Sequence, residues 1–430
     1  MSEKNNIMND TIQQNKLAVF TEGLSLSNLA YSNDLKQKAL NILNTLDFPT
    51  TRQEDWKYTR VGRIASIKAN QTAHNSQIDL SSIRTESKLL FVFENGHFRS
   101  DLSSSDMPKG VVIKALSRCS EEELSLVGSL VNIENQVFTA MNSAFATDGI
   151  YIQIQPNEII TPSIHVLHIL SGDNTASFTR NLLVCSDFAQ AHIIQEYITQ
   201  EASSSINNVV TEIIVGVNAH FTIDKIQHEE QGNFAVLTEQ VDQKKDSTFT
   251  INTITLDGTL VRNNLNIAVN GTNCTSNLNG AYLLKNNQHV DNHTLVDHKV
   301  ANCLSNELYK GVIYDKATAV FNGKVFVRKD AQKINAFQSN GNVLMSDDAS
   351  VNSKPELEIY ADDVKCSHGS TTGQLDEEAI FYLRARGLSE KAARNLMVSA
   401  FISDVLDKIE NQTVLEKVQL IIQQKFAWEF

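Results

Sequence analysis

Residues 289–388 read HVDNHTLVDHKVANCLSNELYKGVIYDKATAVFNGKVFVRKDAQKINAFQSNGNVLMSDDASVNSKPELEIYADDVKCSHGSTTGQLDEEAIFYLRARGL, and the fold turns on this stretch. Short apolar alternations are separated by polar turns, the pattern of half-buried strands. Four acidic turns each precede a small or apolar residue: Asp315-Lys316-Ala317, Lys329-Asp330-Ala331, Asp347-Asp348-Ala349 and Asp362-Asp363-Val364. Their third positions lie 14, 18 and 15 residues apart. Such spacing fits successive edges of a solenoid, in which each coil buries its apolar face on the next. It fits the hairpin turns of an antiparallel sandwich equally well, because Asp-rich dipeptides are common turn formers. Periodicity therefore leaves a β-helix and a β-sandwich open.

Upstream the same texture begins at Ile150 and runs through segments such as His165-Val166-Leu167-His168-Ile169 and Leu265-Asn266-Ile267-Ala268-Val269. No proline occurs between Pro162 and Pro355, which continuous stacked sheet would explain, since proline cannot donate to a ladder. Before Ile150 the chain is mostly helical in pattern. Leu35, Ala39, Leu40, Ile42, Leu43 and Leu46 recur at helical spacing behind a capping Ser32, and Pro49 stops them. Leu89 to Phe93 reads as a strand followed by an Asn95-Gly96 turn. Ser120 to Glu123 has the form of a capping box, opening a helical stretch through Val137, Met141, Ala144 and Phe145 to Asp148-Gly149. After Gly373 helix returns, with caps expected at Asp376, Ser389 and Thr413 and a stop at Gly387.

The chain has 430 residues, 41% hydrophobic and 20% charged, which is ordinary globular composition for two or three domains. A formal net charge of −13 without clustered Lys and Arg excludes a nucleic-acid partner from the expectations. The N-terminal MSEKNNIMND lacks a signal-peptide apolar run and no stretch is long enough for a membrane span, so no membrane association and a cytoplasmic location are expected. Five dispersed cysteines, Cys119, Cys185, Cys274, Cys303 and Cys366, read as reduced thiols rather than a disulfide framework.

Enzyme signatures are missing. Gly323-Lys324 lacks the upstream glycine of a phosphate loop, and there is no dinucleotide fingerprint, Gly-x-Ser-x-Gly elbow or His-Glu-x-x-His helix. Two polar clusters remain. Cys366 and His368 follow an apparent strand and turn; on one strand they would share a face with Cα atoms about 6.5 Å apart, within reach of one metal. The alternative is a small buried cysteine beside a hydrogen-bonded histidine. The second cluster, His289, His293, His298 and Cys303, has spacings of four, five and five that suit neither a strand face nor a zinc finger. A cluster asks for about four soft ligands, so no catalytic residue and no stably held cofactor are expected of the isolated chain.

Residues 289–388 resemble the SufB/SufD family of iron–sulfur cluster assembly scaffold proteins, and FPTTRQEDWKYT (Phe48 to Thr59) is similar to a stretch typical of its SufD side. Gly369 after the histidine and Gly373-Gln374-Leu375 also look like SufD rather than SufB. The resemblance implies a mainly β fold, a right-handed parallel β-helix core over residues 149–374, between a mainly helical N-terminal region (1–148) and a C-terminal helical domain (375–430). It implies pairing with SufB through the β-helices, or with a second copy in isolation, and docking of the SufC ATPase on the C-terminal helices. Asp376, Tyr382, Arg386 and Phe401 are the tail residues expected there. The family's functional histidine maps onto His368, with Cys366 beside it, at an interface where iron or a nascent cluster is held transiently; a reduced flavin in the complex also belongs to what the family suggests.

Two competing readings come from other classes. A β-helical carbohydrate lyase would be secreted and would carry a cleft of paired acidic and basic groups. A self-sufficient metal protein would converge His289, His293, His298 and Cys303 on one ion.

Overall fold

A computed structural model describes the chain over residues 15–29, 33–71, 77–78, 80 and 89–428. The N-terminal part supplies strands β1 (Leu89–Glu94), β2 (His97–Phe98) and β3 (Val111–Ala115). It also carries helices α1 (Lys16–Thr21), α2 (Asn33–Leu43), α3 (Glu121–Leu124) and α4 (Val137–Phe145). From β4 (Ile150–Ile154) to β19 (Val364–Gly373) successive strands alternate between two sheets, each pairing in parallel with the strand one coil away. The result is a parallel β-solenoid of about eight turns rather than a sandwich. Helices α5 (Glu377–Ala385), α6 (Glu390–Leu406) and α7 (Gln412–Phe426) follow.

The acidic turns are the corners of this solenoid. Each lies at or within a few residues of the start of a strand, namely β16 (Thr318–Val327), β17 (Ile334–Leu344), β18 (Ser350–Ile359) and β19, so their spacing measures half-coils. The small residues at these corners, Ala317, Ala331 and Ala349, point into the core. At one stacked corner Asp246, Asn273 and Asn302 all take positive φ of 60°, 60° and 63°, a conformation that Asn and Asp tolerate best. The long proline gap follows as well: each strand between the ends is bonded on both sides, and Pro355 falls on β18, the outermost strand of its sheet.

Alternation decides what the solenoid encloses. On β17, Ile334, Ala336, Gln338 and Asn340 are buried while Asn335, Phe337 and Ser339 face out. Ile, Leu, Val and Phe fill most of the space between the sheets, and Gln, Asn, Glu and Tyr fill it toward β17 and β19. The two ends of the solenoid differ. At the first coil both sheets finish in an antiparallel strand, β2 beside β1 and β3 beside β4. At the last coil, β18 and β19 are the outermost strands.

The helices pack outside. Along one sheet face Ile226, Ile254, Leu256, Leu283 and Val312 are covered by Ile380, Val398, Ile402, Val405 and Val418 of the tail. Asp376 and Ser389 cap α5 and α6 as expected, and Gly387 ends α5 with φ +101°. Two local expectations are corrected. The stretch from Ser120 to Phe145 is two helices, because Gly128 and Asn135 between them take positive φ of 92° and 61°. The cap of α7 is Asn411, whose Oδ1 accepts from Val414 N at 3.1 Å, and Thr413 lies inside the helix. The capping Ser32 and the MSEKNNIMND segment lie outside the described residues.

Candidate functional site

Cys366 and His368 both lie on β19, two residues apart and therefore on one face of the strand. That face is the inward one, since Val364 and Cys366 pack against the core between the sheets. Cys366 is half-buried opposite Ala336, and burial pushes its thiol up from the ordinary value. His368, opposite Gln338, is exposed because no further coil covers the inward row at this end. A thiol and an imidazole thus stand side by side at the rim of an uncovered coil.

Beneath them runs a polar column that sequence reading missed. Glu307, on β15 (Leu304–Ile313), is in register with Gln338, and Gln338 with His368. Gln338 Nε2 donates to Glu307 Oε2 at 2.6 Å, and Thr294 Oγ1 donates to Oε1 at 2.5 Å. Burial pushes the Glu307 carboxyl up to about 7, against the pull of these two hydrogen bonds. Beside it, Tyr282 Oη donates to Asn342 at 2.5 Å, Asn342 to Asn340 at 2.8 Å, and Ser353 Oγ to Asn340 at 2.8 Å. The signal was present in β17: its inward positions pass from Ile334 and Ala336 to Gln338, Asn340 and Asn342, but inward and outward cannot be told apart before the register is known.

The second histidine cluster divides. His289 and His293 flank Asp291 on the outer face of β14 (His289–His298). Thr59 Oγ1 lies 2.9 Å from His289 Nε2 and donates to Asp291 Oδ2 at 2.5 Å. Arg262 Nη1 reaches the same carboxylate at 2.7 Å, and His293 Nε2 lies 3.0 Å from Oδ1. Burial raises the Asp291 pKa, but Arg262 and His293 outweigh it and hold the carboxyl well below the usual carboxylate range. His298 instead points inside, 3.0 Å from Ser305 Oγ. Cys303 is stacked beside Cys274 one coil away; the closeness of the two thiols holds Cys274 below the ordinary thiol value and pushes Cys303 above it. The four residues do not meet, and among the described residues no three His, Cys, Asp or Glu side chains form a metal-holding group.

The tail residues part in role. Asp376 Oδ1 accepts from Glu378 N and Ala379 N at 2.9 and 3.2 Å and so starts α5. Tyr382 and Arg386 stand exposed, the guanidinium carbon 5.1 Å from the ring centroid. Phe401 faces the solenoid, where a Cβ on Gly341 would stand 3.3 Å from its ring, with Lys310 Nζ 4.5 Å from the ring centroid. It secures the tail rather than offering an outer surface. A groove lies beside the Thr59 cluster, lined by Glu54, Gln136, Asn264, Asn322, Lys354 and Glu356 among others. It presents no aromatic wall for a flavin ring and does not fit one.

Two family models match the chain: the SufBD core domain of SUF system FeS cluster assembly over residues 168–401, and the SufBD protein N-terminal region over residues 14–166. An iron–sulfur cluster assembly SufBD family protein of Synechocystis is 30% identical over 395 residues, covering 87% of this chain and 86% of that protein. The iron–sulfur cluster assembly protein SufD of Escherichia coli is 28% identical over 397 residues, 90% of this chain and 92% of its own. That of Bacillus subtilis is 22% identical over 423 residues, covering 92% and 94%.

Proposed function

Because the chain belongs to the SufB/SufD family of iron–sulfur cluster assembly proteins, we propose that it is the SufD-type scaffold subunit and that its uncovered last coil is where a SufB-type partner docks. The observation that carries this reading is His368, exposed beside half-buried Cys366 on the outermost strand of a sheet. Outermost strands offer unpaired backbone groups that a partner's strand or loop can satisfy. A partner seated there would face the imidazole and supply the further ligands that iron or a growing cluster requires, since among the described residues this end brings Cys366 and His368. The chain's own part is to hold one side of the cargo in place.

The tail serves a second contact in this reading. Phe381 and Tyr382 on α5 and Leu396 on α6 are 71%, 57% and 47% exposed, an apolar surface suited to the SufC-type ATPase. Turnover of ATP would then belong to that partner.

The test is a complete complex rebuilt with His368→Ala. Cluster yield is expected to fall steeply while heterodimer formation and the melting temperature of the chain persist, because an exposed imidazole contributes little to stability. Unchanged yield would overturn the assignment of His368. Cys366→Ser is the companion: loss of yield marks a ligand thiol, whereas loss of stability alone marks a packing residue.

A further inference from the structure

On the strand beside His368, its register partner carries a buried oxygen without a partner. Gln338 is 4% exposed, and while its Nε2 is engaged by Glu307 at 2.6 Å, its Oε1 is buried without a hydrogen bond. Buried carbonyl oxygens are normally satisfied, so an orphan of this kind marks a contact still to be made. The side chain is also deliberately accommodated. A Cβ on Gly323, on the opposing sheet, would stand 2.2 Å from Gln338 Nε2. Glu307 in turn is fixed by Thr294, so the amide nitrogen is held toward the coil below. With its nitrogen engaged by Glu307, the carboxamide keeps its oxygen as an unused acceptor in the inward row that His368 continues. Gln338 and His368 are direct Cα partners, at a strand separation of about 4.8 Å.

We propose that Gln338 is the positioning residue for His368: with the last coil covered by its partner, Gln338 Oε1 accepts the hydrogen bond of one imidazole N–H. The other ring nitrogen is then presented unprotonated to iron. An imidazole binds metal as the neutral ring, and an acceptor on its second nitrogen fixes both tautomer and ring plane. A neutral carbonyl does this without adding charge beside the cargo. Glu307 acts one step further back, by keeping the amide from turning over. This proposal rests on the assembly role of His368 stated above.

The experiment uses the complete complex with this chain alone carrying ¹⁵N-histidine, in wild-type, Gln338→Leu, His368→Ala and double-variant forms. Gln338→Leu is expected to lower cluster yield about 10-fold, and the double variant to fall no further than His368→Ala. In the ring-nitrogen spectrum, the signal that His368→Ala removes should show one tautomer in the wild type and an averaged pair in Gln338→Leu. Gln338→Met, of similar length and without an acceptor, gives the same comparison if the leucine variant folds poorly. Losses that multiply in the double variant, or an unchanged tautomer, would overturn the positioning role while leaving His368 in place. Full yield from His368→Ala would overturn the underlying site and this proposal with it.

Discussion

Arg262 lies under the indole of Trp56, its guanidinium carbon 3.9 Å from the ring centroid, and the same group donates to the Asp55 carbonyl at 2.6 Å and reaches Asp291 at 2.7 Å. One buried cation thus ties the N-terminal segment to the outside of the solenoid. Arg262→Ala leaves the Asp291 carboxylate buried without its main partner, and the expected loss is about 3–5 kcal/mol at neutral pH. Because the folded Asp291 pKa is depressed, the pair's contribution is present above about pH 4 and is lost as pH falls below it. Urea titrations at pH 7 and pH 3.5 check both points, with a smaller penalty expected at the lower pH.

Glu307 should behave in the opposite sense. Its folded pKa, raised to about 7 by burial, means that between pH 4.5 and 7 the folded chain keeps a proton that the unfolded chain has released. Stability therefore declines across that window. Glu307→Gln is expected to match the wild type near pH 4 and to exceed it at pH 8 by on the order of 3 kcal/mol. A parallel pair of stability–pH curves would show that the carboxylate is ionised at no cost.

Cutting the chain after Gly373 should leave the β circular dichroism signal intact and abolish retention of the ATPase subunit. The same cut uncovers Ile226, Ile254, Leu256, Leu283 and Val312 along one sheet face, so the shortened protein is expected to bind a hydrophobic dye and aggregate. Pull-down, dye binding and light scattering together decide it; a truncated chain that still captures the ATPase moves the docking surface off the tail.

Two glycines provide an internal contrast. A methyl group at Gly323 meets Gln338 Nε2 at 2.2 Å and Phe321 at 2.7 Å, whereas at Gly369 on β19 it meets nothing within 4 Å. Gly323→Ala is expected to cost about 1–3 kcal/mol by overpacking, and Gly369→Ala to stay within about 0.5 kcal/mol of wild type. Thermal unfolding of the two isolated chains is the measurement.

Strand existence was legible in the sequence because alternation and acidic corners are local properties, and the proline-free stretch between Pro162 and Pro355 fits stacked sheet on chemistry alone. Periodicity could not choose between solenoid and sandwich, since both repeat turns at the same intervals; the resemblance did. The site was half legible. Cys366 and His368 announce themselves by type and spacing, whereas Gln338 and Glu307 look like any surface residues until pairing reveals that they point inward. The role of Thr59 was hidden for another reason: its partners His289 and Asp291 are 230 and 232 residues away, and no local pattern encodes such a contact.

The antiparallel strands β2 and β3 at the first coil give the molecule a direction. A ladder of parallel strands left bare at both ends could add copies without limit, as fibrils do. Here the two ends are unlike, one finishing in the antiparallel strands β2 and β3 and the other in the parallel strands β18 and β19, so a copy added head to tail would interrupt the parallel pattern.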